Sequence, residues 1–318
     1  MKCYIVFFKK NAGEMVKAST QPKTRARPIG FGRRVYKFFK NVGLLGFSKR
    51  NNIYGVHPLI ISTAYIILTL LLAAISRKVV KLIFGDSESL VKQILLEFIA
   101  TLELCAACFE LIIVADNWGV GAYALYLFLL TIWWSLKWED ASACPYAPLE
   151  QVFEGSKNVK TALLIVISQV LAALVTFRYV QVLWALELTE THQGKAYEDC
   201  TADLQVDMIT GAIIEAVATC LCRLVSRTLS ETEARLSTVF DAFFGTAMVV
   251  LAFNFSGGYF NPALATSLKL GCEGNDFVEH MVVYWLGATI GSLISVFISR
   301  TEWFQNKIQN LKPKEKEE

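Results

Sequence analysis

Two short stretches, each opening on a residue followed by proline, carry the side chains best placed for polar chemistry. The first box is Cys144-Pro145-Tyr146 and the second box is Asn261-Pro262-Ala263. Asparagine is a preferred N-cap and proline is favoured in the first helical turn, so each box predicts the start of a helix. Both helices are too short to cross a lipid bilayer. We therefore expect two re-entrant half-helices, which are tolerated only where they are buried in protein or line a watery cavity.

A carboxylate precedes each box at nearly the same distance. Glu97 lies in the stretch ILLEFIAT at 94–101, and Glu215 lies in AIIEAVAT at 212–219. The first box begins 47 positions after Glu97, and the second begins 46 positions after Glu215. Carboxylates inside a membrane are costly unless they have partners. The duplication favours a bracing role, in which each carboxylate accepts backbone N–H groups of a re-entrant loop; the alternative is a pair of titrating transport residues.

The elements that must position these residues are long apolar segments. Of the 318 residues, 54% are apolar and 19% are charged, whereas soluble domains have about 45–50% and about 25%. Segments that reach or approach the roughly 20 residues needed to cross a bilayer lie at 59–76, 93–115, 119–138, 161–186, 208–226, 236–255 and 278–299. The predicted fold class is therefore an all-α polytopic membrane protein.

The repeated landmarks divide six of these segments into two units, each with two spans, a half-helix and a third span. Because three spans are an odd number, the second unit would cross the membrane upside down relative to the first. The two half-helices would then enter from opposite faces and meet near the midplane. The predicted organisation is a basic arm at 1–58, an extra apolar segment at 59–84, a repeat domain at 90–300 with repeats at 93–186 and 208–299, and a charged cytosolic tail at 301–318.

Loop charge predicts the orientation of the chain. The loop at 187–207 is acidic, which is typical of the lumenal or extracellular side, whereas the lysine-rich tail fits the cytosol. Residues 1–58 hold 13 Lys and Arg against one acidic residue, and this arm either lies on anionic membrane lipid or is solvated. If segment 59–76 spans the membrane, the arm lies in the lumen against the positive-inside rule. If the segment lies in the interface, the rule holds, and the sequence leaves both arrangements open.

Several classes of function find no support in the residue pattern. The eight cysteines and three histidines form no zinc-ligand spacing, and Cys105 and Cys108 stand inside an apolar run where thiols pack. No nucleophile elbow, phosphate-binding glycine loop or metalloprotease pattern occurs. Beyond residue 58 the chain carries 18 basic and 27 acidic residues, unlike a nucleic-acid-binding protein. We expect no enzyme activity, no cofactor, no metal and no nucleic-acid partner.

Two half-helices that meet N-terminus to N-terminus aim two positive dipole ends at one point. Such a point repels cations and protons and lets a neutral hydrogen-bonding molecule pass, with the Asn261 amide donating into the passage. Three functions stay open: a passive channel for water and small neutral solutes, a non-conducting structural protein on the same fold, and an ion-coupled secondary transporter. The transporter would use the acidic residues Glu97, Glu103, Glu110 and Glu215.

Inverted three-span repeats with E-x-x-x-T and a half-helix that opens on an N-P-A box resemble the aquaporin (major intrinsic protein) family. The stretch SGGYFNPALATS at 256–267 resembles the second box of that family, and the similarity covers residues 90–300. The departures resemble the superaquaporin subfamily, the aquaporin-11 and aquaporin-12 group. These departures are the altered first box, Cys272 nine residues after Ala263, and the extended N-terminal region. The resemblance implies six transmembrane helices plus two half-helices, and a homotetramer.

The resemblance also implies a selectivity filter at Ala124, Val249, Gly258 and Leu264. Leu264 stands where the family usually has an arginine that narrows the filter and repels cations. A filter without arginine or histidine is wider and more apolar, so we expect slow water passage and permeation of glycerol or hydrogen peroxide. Tyr146 would narrow the passage, gate it or offer a hydroxyl group there.

Two further features concern the compartment. Cys200 in the acidic loop and Cys272 would share the lumenal side, where they would form a disulfide within or between subunits or remain free thiols. Lys314 and Lys316 belong to a K-x-K-x-x ending that resembles the retrieval signal of endoplasmic reticulum membrane proteins, and a solvated tail is the alternative. We expect a multi-pass protein of the endoplasmic reticulum or another intracellular membrane, with a cytosolic C-terminus.

Overall fold

A computed structural model of the chain describes residues 56–87, 89–232, 236–274 and 276–311. Nearly all of the basic arm predicted at 1–58, and the tail residues Lys314 and Lys316, lie outside these ranges. Helices dominate the described part of the chain, where the β-type contacts amount to one isolated bridge between Thr201 and Glu273. The described residues therefore form a helical bundle.

Helix α1 (Pro58–Phe84) forms the extra apolar segment and begins with two start signals. Pro58 occupies the first turn, and the ring of His57 accepts a hydrogen bond from the Leu59 N–H at 3.2 Å. At about 1.5 Å per residue, its 27 residues are long enough to cross a membrane. The helix extends beyond the predicted apolar core because Arg77, the first charged residue after that core, has a buried carboxylate partner.

Helix α2 (Leu90–Lys137) is a tight hairpin of two helical arms. Gly119 alone leaves the helical conformation, with φ 82° and ψ 171°, a backbone geometry open to glycine. The chain reverses direction there, as the position of the Trp138 indole shows. Its N–H lies 3.1 Å from Oε2 of Glu103, a residue 35 positions earlier. The second and third predicted apolar segments are therefore the two arms of this hairpin, joined by a single residue.

Further helices follow along the described residues. They are α3 (Tyr146–Phe153), α4 (Val159–Trp184), α5 (Met208–Glu231), α6 (Ser237–Ala252), α7 (Pro262–Lys269), α8 (Phe277–Ser299) and α9 (Glu302–Leu311). The half-helices α3 and α7 have eight residues each, and α8 contains a π-helical stretch at Met281–Gly287. Each unit thus contains two apolar helices, a half-helix and a third apolar helix, with the α2 hairpin supplying the first two helices of the first unit.

By length and apolar composition, α1, α2, α4, α5 and α8 are able to cross a membrane, and α6 is shorter at 16 residues. Helix α6 ends early because the chain turns toward the second box through Gly257 and Gly258, which have φ 89° and 67°. A Cβ atom on Gly258 would lie 2.7 Å from the Val249 carbonyl oxygen. Only glycine therefore allows this turn to pack against α6.

Helix α1 runs along the length of the α2 hairpin. At its start, the ring of His57 lies 6.1 Å from the ring of Trp118, next to the hairpin turn. Five helical turns later, Arg77 forms a buried ion pair with Glu103 in the first arm of α2. Helix α1 is therefore antiparallel to that arm, and it begins at the end of the bundle where the hairpin turns.

Helices α5 and α8 approach each other through small residues. Gly287 faces the backbone of Ala212, and Gly291 faces that of Ala216. A Cβ atom on Gly291 would lie only 2.0 Å from the Ala216 carbonyl oxygen. Small residues four positions apart on facing helices permit such backbone contact between membrane helices.

Replacing Gly291 by leucine is expected to lower the melting temperature of the detergent-solubilised protein, because the new side chain has no room between the two backbones. Overpacking of this kind costs about 1–3 kcal/mol of folding free energy. Gly121→Leu is the matched control, since a Cβ atom there meets no atom within 4 Å. Melting curves followed by tryptophan fluorescence measure both variants, and equal melting temperatures would contradict the close packing of α5 and α8.

Candidate functional site

Glu97, a buried carboxylate on α2, holds the first re-entrant loop. Its Oε1 accepts the Ser142 N–H and its Oε2 accepts the Ala143 N–H, both at 2.9 Å. Gln169 on α4 donates from Nε2 to the same Oε2 at 2.8 Å. Ala143 has φ 49°, in the left-handed region that residues other than glycine rarely adopt. The carboxylate thus fixes an unusual backbone conformation directly before the first box.

Glu215 on α5 holds the second loop in the same way. Its Oε1 accepts the Tyr259 N–H at 3.2 Å and the Ser256 hydroxyl at 2.6 Å, and its Oε2 accepts the Phe260 N–H at 2.7 Å. Phe260 directly precedes the second box and has φ 48°, close to the 49° of Ala143. The two loops therefore share one construction, in which a carboxylate from an apolar helix binds the two N–H groups that precede the box.

The two half-helices start in direct contact. Asn261 caps α7, since its Oδ1 accepts the N–H groups of Ala263 at 3.0 Å and Leu264 at 3.3 Å. Its Nδ2 donates to the Ala143 carbonyl oxygen at 2.9 Å, which joins the second box to the loop of the first. Pro262 occupies the first turn of α7, and Ala263 behind it is fully buried. We call the contact between Asn261 and Ala143 the junction.

The first box starts its half-helix differently. Helix α3 begins at Tyr146, and Pro145 in front of it provides no side-chain cap. Cys144 is buried, and its carbonyl oxygen accepts the Ala147 N–H at 3.1 Å. Because a thiol is a weak donor and a weak acceptor, Cys144 does not reproduce the amide of Asn261. The junction therefore has one amide where a symmetrical arrangement would have two.

A cavity of about 860 Å³ extends to both sides of the junction. Its volume is far larger than the roughly 30 Å³ that one water molecule occupies in the liquid. From the end near the α2 turn to the other end, the wall includes Asp116, Asp203, Tyr259, Leu264, Asn261, Cys144, Tyr146, Arg223 and Asp241. The cavity thus passes both boxes and ends among charged groups on either side.

Three of the four predicted filter residues line the cavity, namely Val249, Gly258 and Leu264. The prediction for Ala124 stays untested, and its neighbour Tyr123 is the residue of this part of α2 that lines the cavity. Adjacent positions on a helix differ in direction by about 100°, so an alignment shifted by one residue selects a different side chain. The Tyr123 ring packs edge-on against Phe253 at 5.3 Å. The wall is therefore more aromatic than the sequence predicts.

The cavity end near the α2 turn has a polar cluster that the sequence did not predict. The Asp203 carboxylate accepts the Tyr259 hydroxyl and pairs with Lys269 Nζ at 2.7 Å. A disulfide between Cys200 and Cys272 ties the loop that carries Asp203 to the loop after α7, with 4.8 Å between the two Cα atoms. Of the predicted alternatives, the structure thus has the bond within one chain.

The other end of the cavity holds an ion-pair cluster between three helices. Glu150 on α3 binds the Arg223 guanidinium through Nε at 2.9 Å and Nη2 at 2.5 Å. Arg227 reaches the same carboxylate at 2.8 Å, and Ser292 on α8 donates to it at 2.6 Å. The Cζ atom of Arg223 also lies 6.0 Å from the centre of the Tyr146 ring, a cation–π distance. In the sequence, this cluster was indicated only by Arg223 and Arg227, which are four positions apart on an apolar helix. Arginines in such a helix need buried partners.

Two further carboxylates of α2 lie outside the cavity wall and have donors of their own. Glu103 pairs with Arg77 of α1. Glu110 accepts the Trp184 indole N–H at 2.8 Å and lies 2.9 Å from Nε2 of His192. Across the described residues, no group of three His, Cys, Asp or Glu side chains is arranged to hold a metal ion. Glu103 and Glu110 do not line the cavity, so they lack the position that ion-coupling groups of a transporter require.

Comparison with known proteins identifies relatives of this architecture. No protein-family model matches the chain. Aquaporin-11 of Milnesium tardigradum is 30% identical over 251 residues, which cover 78% of this chain and 90% of that protein. Putative aquaporin-12A of Homo sapiens is 27% identical over 186 residues, which cover 58% of this chain and 63% of that protein. The similarity thus includes both branches of the predicted subfamily.

A solved structure has the same fold. The aquaglyceroporin from Plasmodium falciparum superimposes with a TM-score of 0.53 at 13% identity, covering 70% of this chain and 100% of that chain. At this identity the likeness concerns the fold alone, and it confirms the predicted all-α membrane class. Since a relative is 30% identical over most of both chains, the protein belongs to the aquaporin family, in the superaquaporin group of aquaporin-11 and aquaporin-12.

Proposed function

We propose that the protein is a passive channel for water and small neutral solutes. Membership of the aquaporin family makes it a multi-pass membrane channel and not an enzyme. The observation that carries the proposal is the 2.9 Å bond from Asn261 Nδ2 to the Ala143 carbonyl oxygen, beside a cavity that extends to both sides of it. A passage and a polar junction thus coincide.

The junction would lie near the membrane midplane, since each half-helix starts at the inner end of a loop. Helices α3 and α7 would aim their positive N-terminal ends, about half a charge each, at the passage. Cations and protons would be repelled there, whereas water would turn its oxygen atom toward the Asn261 amide. Because Cys144 supplies no matching amide, the helix dipoles would contribute more to the orientation of water than they do in a channel with two asparagines.

The composition of the wall supports a broad range of neutral solutes. Val249, Gly258 and Leu264 bring no charge to the filter, and Tyr123 brings one hydroxyl group on an apolar ring. Water, glycerol and hydrogen peroxide are all neutral hydrogen-bonding molecules that suit such a wall. Few polar groups at the filter replace the hydrogen bonds that a solute makes with water outside. We therefore propose slow water passage together with permeation of glycerol and hydrogen peroxide.

The proposed orientation puts the loop at 187–207 in an oxidising lumen and the C-terminus in the cytosol. The disulfide between Cys200 and Cys272 supports this, because disulfides persist in oxidising compartments. The contact between His57 and Trp118 supports a spanning α1 that begins on the same side. The basic arm would then start in the lumen, against the positive-inside rule, with the buried pairing of α1 overriding the charge of the arm.

We also propose residence in the endoplasmic reticulum or another intracellular membrane, and assembly as a homotetramer in lipid. A cytosolic C-terminus would present Lys314 and Lys316 to a retrieval receptor. Apolar side chains such as Ile60, Leu71 and Leu82 on α1 are exposed on the single chain, which suits contact with lipid or with a neighbouring subunit. Family membership supports a tetramer, and light scattering of the purified protein measures the subunit number.

Stopped-flow light scattering on proteoliposomes tests the channel. Under a sucrose gradient, the protein is expected to speed vesicle shrinkage well above that of empty liposomes, and a glycerol gradient then ranks the solutes. Asn261→Asp is expected to lower the water flux about tenfold or more. The variant replaces the donor with a carboxylate that faces the Ala143 carbonyl, and a buried polar group without a partner costs about 1–3 kcal/mol.

The matched control is Asn158→Asp, at the N-cap of α4, where the side-chain oxygen accepts the Lys160 N–H at 2.8 Å. Aspartate caps a helix as well as asparagine does, so this variant should conduct normally. Shrinkage equal to empty liposomes, from protein that is folded and tetrameric, would overturn the channel and favour the non-conducting structural protein. Flux that requires a proton or sodium gradient would instead favour the transporter.

A further inference from the structure

Arg223 is the one basic side chain in the cavity wall formed by the described residues. The filter position where the family usually has a cation-excluding arginine holds Leu264 instead. Arg223 comes from α5 and lines the cavity on the other side of the junction, at the level of Tyr146. A fixed positive charge is thus present in the passage, at a place different from the filter.

The position of this charge is set by its neighbours. Glu150 is 2% exposed, and its carboxylate holds the guanidinium through Nε and Nη2. The Ser292 hydroxyl fixes that carboxylate from α8, and the Tyr146 ring lies against the guanidinium. Nη1 is at the opposite corner of the planar group, outside this ion pair. The Arg223 side chain stays 30% exposed, so the guanidinium faces the cavity while its other edge is held.

Arg223 offsets part of an excess of carboxylates at this mouth of the cavity. Asp241 also lines the cavity, and it accepts the hydroxyl of Ser226, a residue of α5 like Arg223, at 2.5 Å. Glu139 lines the cavity as well and is paired with Lys81. The other nearby carboxylates are Glu150, Glu154 and Asp241, and the nearby guanidinium groups are those of Arg223 and Arg227. Loss of Arg223 would raise the excess of carboxylates over guanidinium groups at this mouth from one to two and remove the positive charge from the wall, so cations would be attracted more strongly.

We infer that Arg223 is the cation-excluding residue of this channel, moved from the filter to the opposite side of the junction. Tyr146 and Glu150 are its positioning residues, so the aromatic side chain in the first box helps to hold the Arg223 guanidinium in place. This inference rests on the proposed function, since it concerns what the channel rejects. It gives one explanation for two departures from the family pattern, namely Tyr146 in the first box and Leu264 after the second box.

The test measures water flux and cation leak on the same proteoliposomes. Water flux is the rate of osmotic shrinkage, and cation leak is proton entry reported by an entrapped pH dye under a potassium diffusion potential set with valinomycin. The wild-type protein is expected to pass water without measurable leak. Arg223→Gln is expected to raise the cation leak, relative to the water flux of the same vesicles, about tenfold or more. Arg223→Lys keeps the charge and should keep the leak low.

Two controls separate electrostatics from damage to the fold. Arg178→Gln removes an exposed arginine that bonds Gln181 and lies outside the cavity wall, and it should change neither readout. Adding Asp241→Asn to Arg223→Gln removes one excess carboxylate and should reduce the leak, whereas a leak caused by distortion would stay high and overturn the inference. Arg223→Met, which keeps the side-chain length without charge, is measured if the glutamine variant does not elute as folded protein.

The outcomes distinguish this inference from the function on which it rests. A wild-type protein that passes no water overturns the proposed channel. A wild-type protein that passes water, together with neutral variants of Arg223 that leak no more relative to their water flux, overturns the role of Arg223 alone. A raised leak in the neutral variants, reversed by lysine at the same position, supports it.

Discussion

Replacing Glu215 by alanine is expected to prevent formation of the folded channel. Three donors lose their acceptor at once, namely the N–H groups of Tyr259 and Phe260 and the hydroxyl of Ser256. Each buried donor without an acceptor costs about 1–3 kcal/mol, and the bilayer core offers no water to replace the carboxylate. The summed cost is comparable with the whole folding free energy of a typical protein, about 5–15 kcal/mol. Phe260 also loses the contact that holds its left-handed backbone.

The yield of monodisperse protein in size-exclusion chromatography, and its melting temperature, measure this effect. Glu97→Ala should behave like Glu215→Ala, because each carboxylate binds the two N–H groups before a box. Glu215→Gln keeps one acceptor oxygen and should be intermediate. The matched control is Glu302→Ala, at an exposed position in the first turn of α9. Full yield and unchanged melting of Glu215→Ala would mean that the loop holds its shape without the carboxylate.

Replacing Arg77 by leucine is expected to destabilise the bundle by about 3–5 kcal/mol, because it leaves the Glu103 carboxylate buried without its charge partner. The two side chains are 6% and 0% exposed, so water cannot take over the role of the guanidinium. Lys78→Leu, one position further along α1, removes a cation from the exposed side of the same helix and should have little effect. Thermal melting in detergent compares the two variants.

A second substitution identifies the origin of this loss. In Arg77→Leu with Glu103→Leu, the uncompensated charge is gone, and an apolar pair of similar volume is often as stable as a buried ion pair. The double variant should therefore recover most of the melting temperature. If Arg77→Leu alone melts like the wild-type protein, the ion pair does not anchor α1 to the α2 hairpin.

The fold class and the family could be predicted because they depend on features that recur along the chain. Apolar length indicates a membrane helix regardless of its neighbours, and the spacing from Glu97 and Glu215 to the two boxes repeats within one residue. Such landmarks keep their meaning without knowledge of tertiary contacts. The bonds from both carboxylates to the loops follow the same logic, since each loop has two N–H groups that no helix satisfies.

Other features could not be predicted because they depend on contacts between distant segments. Glu150 and Arg223 are 73 positions apart, and neither stands in a recognisable motif. The choice between Ala124 and Tyr123 depends on the rotation of one arm of α2, which a single residue at Gly119 sets. The length of α1 depends on a partner for Arg77, which hydropathy alone does not reveal. In each case the deciding information lies in a neighbouring helix.

The temperature dependence of water permeability shows whether the junction lies in a conducting pore. Purified, folded protein is reconstituted into liposomes, and shrinkage under a sucrose gradient is followed over a range of temperatures beside empty liposomes. A pore at the junction predicts a higher permeability with a clearly lower activation energy, because water then crosses without dissolving in lipid; Asn261→Asp should remove the difference. Permeability and activation energy equal to those of empty liposomes would contradict a conducting channel.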